Sequence, residues 1–138
     1  MGYRSEVAAM FYVRTSMDNT DEQIAKATAL FDLWWQANMD GCSEWSSEDF
    51  EQSKGCRKLH CQDVKWYNSY PGVQWFNEFS KKFMEELCDN SELDGGSGLN
   101  KCFAYEFARI GEELDDNEYV RSDDADWRLS ISRSINVD

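Results

Sequence analysis

The chain has 138 residues, of which 41% are hydrophobic and 14% aromatic, so it is long and apolar enough for one domain spanning residues 1–138. Twenty-seven Asp and Glu side chains oppose fourteen Lys and Arg side chains, which gives a formal net charge of −13. Direct binding to DNA, RNA or an anionic membrane needs a concentrated basic surface, and the longest basic runs are Arg57-Lys58 and Lys81-Lys82. We therefore expect no direct nucleic-acid or membrane binding.

The first half of the chain predicts a strand followed by a helix. Residues Tyr3 to Val13 are rich in apolar, β-branched and aromatic types, with Val7 and Phe11 on one face, which is typical of a strand. Thr20 followed by Gln23 matches a capping box, so we expect a helix from there to about Met39. The start lacks the charge and apolar pattern of a signal peptide, and no run approaches the roughly 20 apolar residues that span a bilayer, so the sequence indicates a cytoplasmic protein.

The middle of the chain predicts a loop, a strand and a second helix. Residues 40–55 are polar and read as a structured loop with room for a short strand. Arg57 to Tyr67 alternates imperfectly, and a bulge near Asp63 reconciles the pattern with a strand. Pro71 suits the first turn of a helix, and apolar residues then recur every three or four positions to Cys88. A glycine-rich connection follows.

Two strands are predicted near the end of the chain, over Lys101 to Gly111 and over Trp127 to Val137. Residues 112–126 between them read as a turn-rich connection. The order strand, helix, strand, helix, strand, strand predicts an α+β fold. We expect a four-stranded, mostly antiparallel sheet with two helices packed on one face, of the ferredoxin-like kind.

Motifs for catalysis are missing. The chain has no nucleophile elbow, no phosphate-binding loop and no dinucleotide fingerprint. His60 and Cys61 are adjacent in a predicted strand and would point to opposite faces, which argues against a catalytic dyad. Glu106 lies in an apolar strand and is the best candidate for acid/base chemistry. The alternative, which we favour, is a structural carboxylate bonded to a tyrosine or an arginine, and we expect no enzymatic activity and no cofactor.

Metal sites find little support in the sequence. Five cysteines occur without a C-x-x-C pair, so Cys42, Cys56, His60 and Cys61 form a zinc site only if the loop folds over the strand. Reduced thiols that act as small apolar side chains are the alternative that we prefer. An EF-hand read from Asp115 fails because tyrosine and valine fall where a ligand and glycine are required, which leaves only an irregular cation site as an alternative. We expect no bound metal.

The acidic connection is the candidate binding surface. It contains eight carboxylates against one arginine, namely Glu112, Glu113, Asp115, Asp116, Glu118, Asp123, Asp124 and Asp126. Such an array resembles the phosphates along a nucleic-acid backbone, so it could occupy a Lys/Arg groove of a basic partner protein. A solvated loop without a partner is the alternative. A second expectation comes from Trp34-Trp35, Trp66-Tyr67 and Trp75-Phe76, which we expect not to be buried together and to supply an exposed patch for a partner or a homodimer.

Three segments of the chain, MGYRSEV at the start, DVKWYNSYPGV from Asp63 and YEFARIGEELDD from Tyr105, resemble a group of small acidic proteins carried by bacteriophages and prophages. The group is similar in its opening Gly-Tyr-Arg-Ser segment. Small acidic phage proteins often inhibit host defence, and anti-CRISPR proteins do so by blocking the nucleic-acid groove of an effector. The resemblance therefore implies an inhibitor of a host defence complex in the host cytoplasm. The alternative is a phage accessory protein that binds a host enzyme, or itself, through an aromatic patch.

Overall fold

The computed structural model describes residues 4–15, 19–40, 42–112, 116–131 and 135–137. A π-helical turn over Met84–Cys88 extends the second helix, as its apolar spacing predicts. In chain order the elements are β1 (Ser5–Val13), α1 (Asp21–Met39), β2 (Glu51–Ser53), β3 (Cys56–Val64), α2 (Pro71–Phe83), β4 (Phe103–Ile110), β5 (Asn117–Arg121), β6 (Leu129–Ile131) and β7 (Ile135–Val137).

Five strands form one antiparallel sheet in the order β2-β3-β1-β4-β5. The α+β class with two helices is confirmed, but the prediction of four strands is wrong. Three of the four predicted strands lie in this sheet, as β1, β3 and β4. Strand β2 falls in the predicted loop, which was read as having room for a short strand, and β5 falls in the predicted turn-rich connection. The residues of β5, Asn117–Arg121, pair with β4, so Val120 lies opposite Phe107 and Glu118 lies opposite Arg109. Pairing with a long buried neighbour stabilises a short polar strand that local propensity does not favour.

Helices α1 and α2 cover one face of the sheet, and Phe11 at the centre of β1 makes edge-on ring contacts with Trp35, Phe79 and Phe83. The predicted capping box begins α1, because the Thr20 hydroxyl accepts from the Gln23 amide and the Gln23 side chain accepts from the Thr20 amide. The predicted bulge is confirmed as well. Between Val7 and Ser5 the partner on β3 advances from Cys61 to Val64, so one extra residue is accommodated there.

The opposite face of the sheet is covered by β6 and β7, which form a separate two-stranded sheet. Leu129 and Ile135 pack there against side chains of β1 and β4, namely Ala8, Met10, Tyr12, Ala104 and Ala108. The prediction of one continuous strand over residues 127–137 is therefore wrong. A period of two fits one long strand and two short strands equally well, so the pattern could not distinguish them. Residues 132–134, which connect β6 to β7, lie outside the described part of the chain.

Candidate functional site

Glu106 is a buried carboxylate at the centre of β4. Its side chain is 0% exposed and lies on the sheet face that β6 and β7 cover. One oxygen, Oε2, accepts hydrogen bonds from the Tyr12 hydroxyl at 2.5 Å and from the Arg128 amide at 2.9 Å. The other, Oε1, accepts from the Tyr119 hydroxyl at 2.9 Å and from the Leu129 amide at 3.0 Å. Four donors thus converge on one carboxylate.

These contacts connect Glu106 to several elements of the fold. The carboxylate joins three strands of the main sheet to the start of β6. The Tyr12 hydroxyl also accepts the Asp126 amide at 2.7 Å, which holds the segment before β6 in place. Burial and the hydrogen bond to Glu106 raise the pKa of Tyr12 and, to a smaller extent, of Tyr119. Of the alternatives that the sequence left open, the geometry favours a carboxylate bonded to tyrosine.

Within the predicted acidic surface, Arg109 pairs with two carboxylates, one just before β5 and one on it. Its guanidinium contacts both oxygens of Asp116, at 3.0 and 3.3 Å, and its Nε lies 3.2 Å from Glu118. Bidentate pairing of this kind fixes the carboxylate as well as its charge. Asp116 and Glu118 therefore present less net negative charge to a partner than the sequence suggested.

Two more of the eight acidic residues are tied to nearby elements, and two are not described. Glu112 accepts the backbone amide of Arg4 at 2.6 Å, and Asp126 pairs with Arg14 at 3.1 Å. Glu113 and Asp115 lie outside the described residues. Four of the six described carboxylates of the predicted surface thus contact an arginine side chain or a backbone amide. The other two, Asp123 and Asp124, remain as candidates for binding a partner.

Asp123 and Asp124 occupy a turn that is anchored to β4. The preceding residue, Ser122, is 2% exposed; its hydroxyl accepts the Tyr105 amide at 2.9 Å, and its own amide donates to the Tyr105 carbonyl at 2.9 Å. The Ala125 amide closes the turn on the Ser122 carbonyl at 3.2 Å. Among the described residues, no ion pair involves either aspartate. Both carboxylates are therefore held on a fixed backbone, and no cation in the described part of the chain pairs with them.

A third aspartate joins this pair from another part of the chain. Asp89, at the end of the π-helical turn after α2, lines a cleft of about 390 Å³ together with Asp123 and Asp124. Partial burial, followed by the charges of Asp123, Asp124 and Glu85, raises the pKa of Asp89 above its usual value. We call these residues, Asp89, Asp123 and Asp124, the aspartate cluster. Its location depends on long-range packing, and no local sequence signal indicates that Asp89 belongs to it.

The proposed ligands for zinc do not converge. Cys56 packs on the face that β6 and β7 cover, whereas Cys61 packs toward the helices. His60 pairs with Glu6, whose Oε2 lies 2.7 Å from the imidazole Nε2. Burial raises the thiol pKa of Cys56, Cys61, Cys88 and Cys102, as expected of small side chains in apolar surroundings. Within the described ranges, no group of three or more His, Cys, Asp or Glu residues is placed to hold a metal ion.

The expected aromatic patch is not formed by the three tryptophan-containing pairs. Trp34, Trp35 and Phe76 are buried, and the other members of the pairs are half-buried. Exposed aromatic side chains among the described residues are instead Tyr70, at 40%, and Trp127, at 63%. Of the two, Trp127 is the more exposed. Trp127 has a left-handed backbone with φ of 60°, stacks on Tyr119 and lies under the guanidinium of Arg121. Trp127 therefore precedes β6 and does not belong to the strand that the sequence predicted from Trp127 to Val137.

In the part of the chain that the structure describes, neither helix has the length and apolar character needed to cross a bilayer. Comparisons with protein-family models, with curated proteins and with solved structures found no match. The geometry of the side chains is therefore the basis for assigning a function.

Proposed function

We propose that this chain is a non-enzymatic, phage-encoded inhibitor of a host defence complex, of the anti-CRISPR type, that occupies a basic nucleic-acid groove. The observation that carries the proposal is the aspartate cluster, in which three carboxylates share one cleft and no arginine or lysine of the described residues pairs with Asp123 or Asp124. Like charges held together raise the free energy of the unbound protein, and a cationic partner relieves that repulsion.

The anchoring of the cluster supports mimicry of phosphates. Ser122 fixes the turn to β4 through two hydrogen bonds, and Asp89 follows a helix that packs against the core. The carboxylates therefore need little ordering when a partner binds, and preorganised charges bind at a smaller entropic cost than charges on a free loop. The net charge of −13 adds a long-range attraction toward basic surfaces, which accelerates association at low salt.

The test is capture of the partner from a host lysate, followed by elution in a salt gradient and identification by mass spectrometry. The bait is the wild-type protein or the variant Asp89→Asn, Asp123→Asn, Asp124→Asn. A matched control, Glu44→Gln, Glu48→Gln, Glu78→Gln, removes the same charge from exposed positions elsewhere. We expect wild type and control to retain a nucleic-acid-binding effector that elutes at moderate salt, and the cluster variant to lose it. Equal capture by all three baits would contradict the proposal.

Trp127 supports a second candidate, a phage accessory protein that binds a host enzyme or itself through an aromatic contact. An exposed tryptophan in an unfavourable backbone conformation is a frequent feature of binding surfaces. This candidate expects a salt-resistant complex or homodimer that Trp127→Ala abolishes. Sedimentation equilibrium of wild type and variant, at low and high salt, separates it from the first proposal.

The ferredoxin-like assignment also stands as a proposal. The first six main elements follow the order β1, α1, β2, β3, α2, β4, and the strands lie in the order β2-β3-β1-β4. This order agrees with two interleaved strand-helix-strand units, to which β5 is added at one edge. An experimental structure that places both helices in right-handed crossovers would support the assignment.

A further inference from the structure

The helices leave β5 uncovered on the face that they otherwise occupy. Val120, whose neighbours on β4 lie beneath α2, is 39% exposed. Between α2 and β5 lies a groove of about 340 Å³ whose floor is formed by Met84, Tyr105, Phe107 and Val120. Its rim carries Glu85, Asp89 and Glu118. The Lys81 nitrogen lies 4.0 Å from Glu85 and Arg109 lies 3.2 Å from Glu118, so the rim keeps an excess of negative charge. The groove thus combines an apolar floor with an acidic rim.

The outer edge of β5 adds backbone groups to this groove. The pairs Gly111–Asp116 and Tyr105–Ser122 bond to each other across β4 and β5. Since bonded and non-bonded pairs alternate in an antiparallel ladder, the amide and carbonyl of Tyr119 and Arg121 point away from β4. Strand β5 is last in the sheet order, and neither outward amide donates a hydrogen bond to any of the described residues. An unpaired edge of this kind accepts an added strand.

We propose that this groove and the β5 edge bind an extended, basic segment of the partner as an additional strand. On the groove side, the segment would place an apolar side chain beside Val120 and basic side chains two positions away in both directions. Alternate residues of a strand share a face, so the outer two reach Glu118 at one end and the vicinity of Asp123 at the other. On the other side, intervening apolar residues would pack beside Tyr119 and Trp127.

The features of the surface exclude other occupants for separate reasons. An acidic segment would meet three carboxylates on the rim. A wholly basic segment would leave Met84, Phe107 and Val120 in contact with charged groups, which costs the transfer free energy of the floor. The pattern basic, apolar, basic on one face satisfies both parts of the surface. The inference rests on the proposed function in one respect, namely that the natural partner is basic.

The probe is a short synthetic peptide with the central sequence Lys-Val-Val-Val-Lys, labelled for fluorescence anisotropy. A permuted peptide, Val-Lys-Val-Lys-Val, has the same composition but cannot present basic, apolar and basic residues on one face. The direction of the added strand does not matter, because both sequences are palindromic. We expect the probe to bind the full chain about tenfold more tightly than the permuted peptide, and its affinity to fall with salt.

Two substitutions at one position test the backbone contact. Arg121→Pro removes the outward amide, and proline is tolerated at the edge of a sheet when its nitrogen faces outward. Arg121→Ala removes the same contact with Trp127 and keeps the amide, so it is the matched control. We expect Arg121→Pro to bind the probe about tenfold more weakly than Arg121→Ala, provided that both variants have the same circular dichroism and melting temperature. Val120→Ser, at an exposed position, should weaken the probe in the same way without unfolding the chain.

Equal affinity of Arg121→Pro and Arg121→Ala would overturn the proposal, and so would equal binding of probe and permuted peptide. If another segment of the same chain already pairs with the β5 edge, neither peptide will bind, and that result would overturn the proposal as well. Failure of the proposed function is detected separately, because capture from a lysate does not enter this assay. If the peptide binds as expected but no nucleic-acid-binding effector is captured, the proposed binding groove stands and the proposed role as an inhibitor is contradicted.

Discussion

Replacing Glu106 tests whether one buried carboxylate holds the C-terminal hairpin on the sheet. In Glu106→Ala, the amides of Arg128 and Leu129 and the hydroxyl of Tyr12 lose their acceptor. Tyr119 still reaches the Leu129 carbonyl, which lies 3.0 Å from its hydroxyl. Each buried donor left unpaired costs about 1–3 kcal/mol, and the cavity adds to this. We therefore expect the free energy of unfolding to fall by about 4 kcal/mol or more.

Glu106→Gln separates hydrogen bonding from side-chain size. If the new amide group replaces Oε1, the Tyr119 hydroxyl can accept from it while donating to the Leu129 carbonyl. The Leu129 amide then faces the new NH2 group, which is also a donor, and so loses its acceptor. A single unpaired buried amide predicts a loss of about 2 kcal/mol, roughly half of the effect of alanine.

The assay is urea unfolding followed by tryptophan fluorescence, combined with hydrogen exchange at Arg128 and Leu129. Glu118→Gln is the control, because that glutamate lies on β5 with a half-exposed side chain and should cost less than about 1 kcal/mol. Both Glu106 variants should exchange the two amides faster than the control does. A Glu106→Ala protein that unfolds within about 0.5 kcal/mol of wild type would refute the role assigned to this carboxylate.

Three further predictions concern stability. In the folded protein, the pKa of Tyr12 and of Tyr119 is raised above the usual 10.0. The unfolded chain therefore loses these protons at a lower pH than the folded chain, and the free energy of unfolding should fall as the pH rises above about 10. A Tyr12→Phe protein that loses stability above that pH as steeply as wild type in urea titrations would contradict this prediction. The raised pKa of Asp89 means that the folded state binds this proton more tightly, so Asp89→Asn should raise the melting temperature at pH 7 and lose that gain toward pH 3. Arg109→Ala should lower the free energy of unfolding by about 1–3 kcal/mol because Asp116 and Glu118 lose their cationic partner, and a change below about 0.5 kcal/mol would argue against this pairing.

Elements with a long, regular apolar period could be predicted from the sequence. Helix α1 has a capping box and buries Phe31 and Trp35 at helical spacing, and β1 alternates between its two faces over nine residues. Strand β5 could not be predicted, because five residues with charged neighbours carry little strand signal and are ordered by pairing with β4. The hairpin of β6 and β7 was missed because a period of two does not show where a chain reverses.

The candidate site was predicted in part. The sequence shows the acidic stretch but not its partners. In the structure, Arg4, Arg14 and Arg109 contact four of its carboxylates. Those arginines are separated from the stretch by as many as 112 positions, so their proximity follows from the sheet order rather than from any local pattern. Asp89 joins the cluster through the same long-range packing.

Competition with nucleic acid tests the central claim most directly. The captured effector would be saturated with a labelled nucleic acid, and the wild-type protein, the aspartate cluster variant and the matched control would each be titrated into that complex. If the chain occupies the basic groove, wild type and control should release the nucleic acid in a salt-dependent manner, and the cluster variant should not. A stable ternary complex of effector, nucleic acid and wild-type protein would contradict the account.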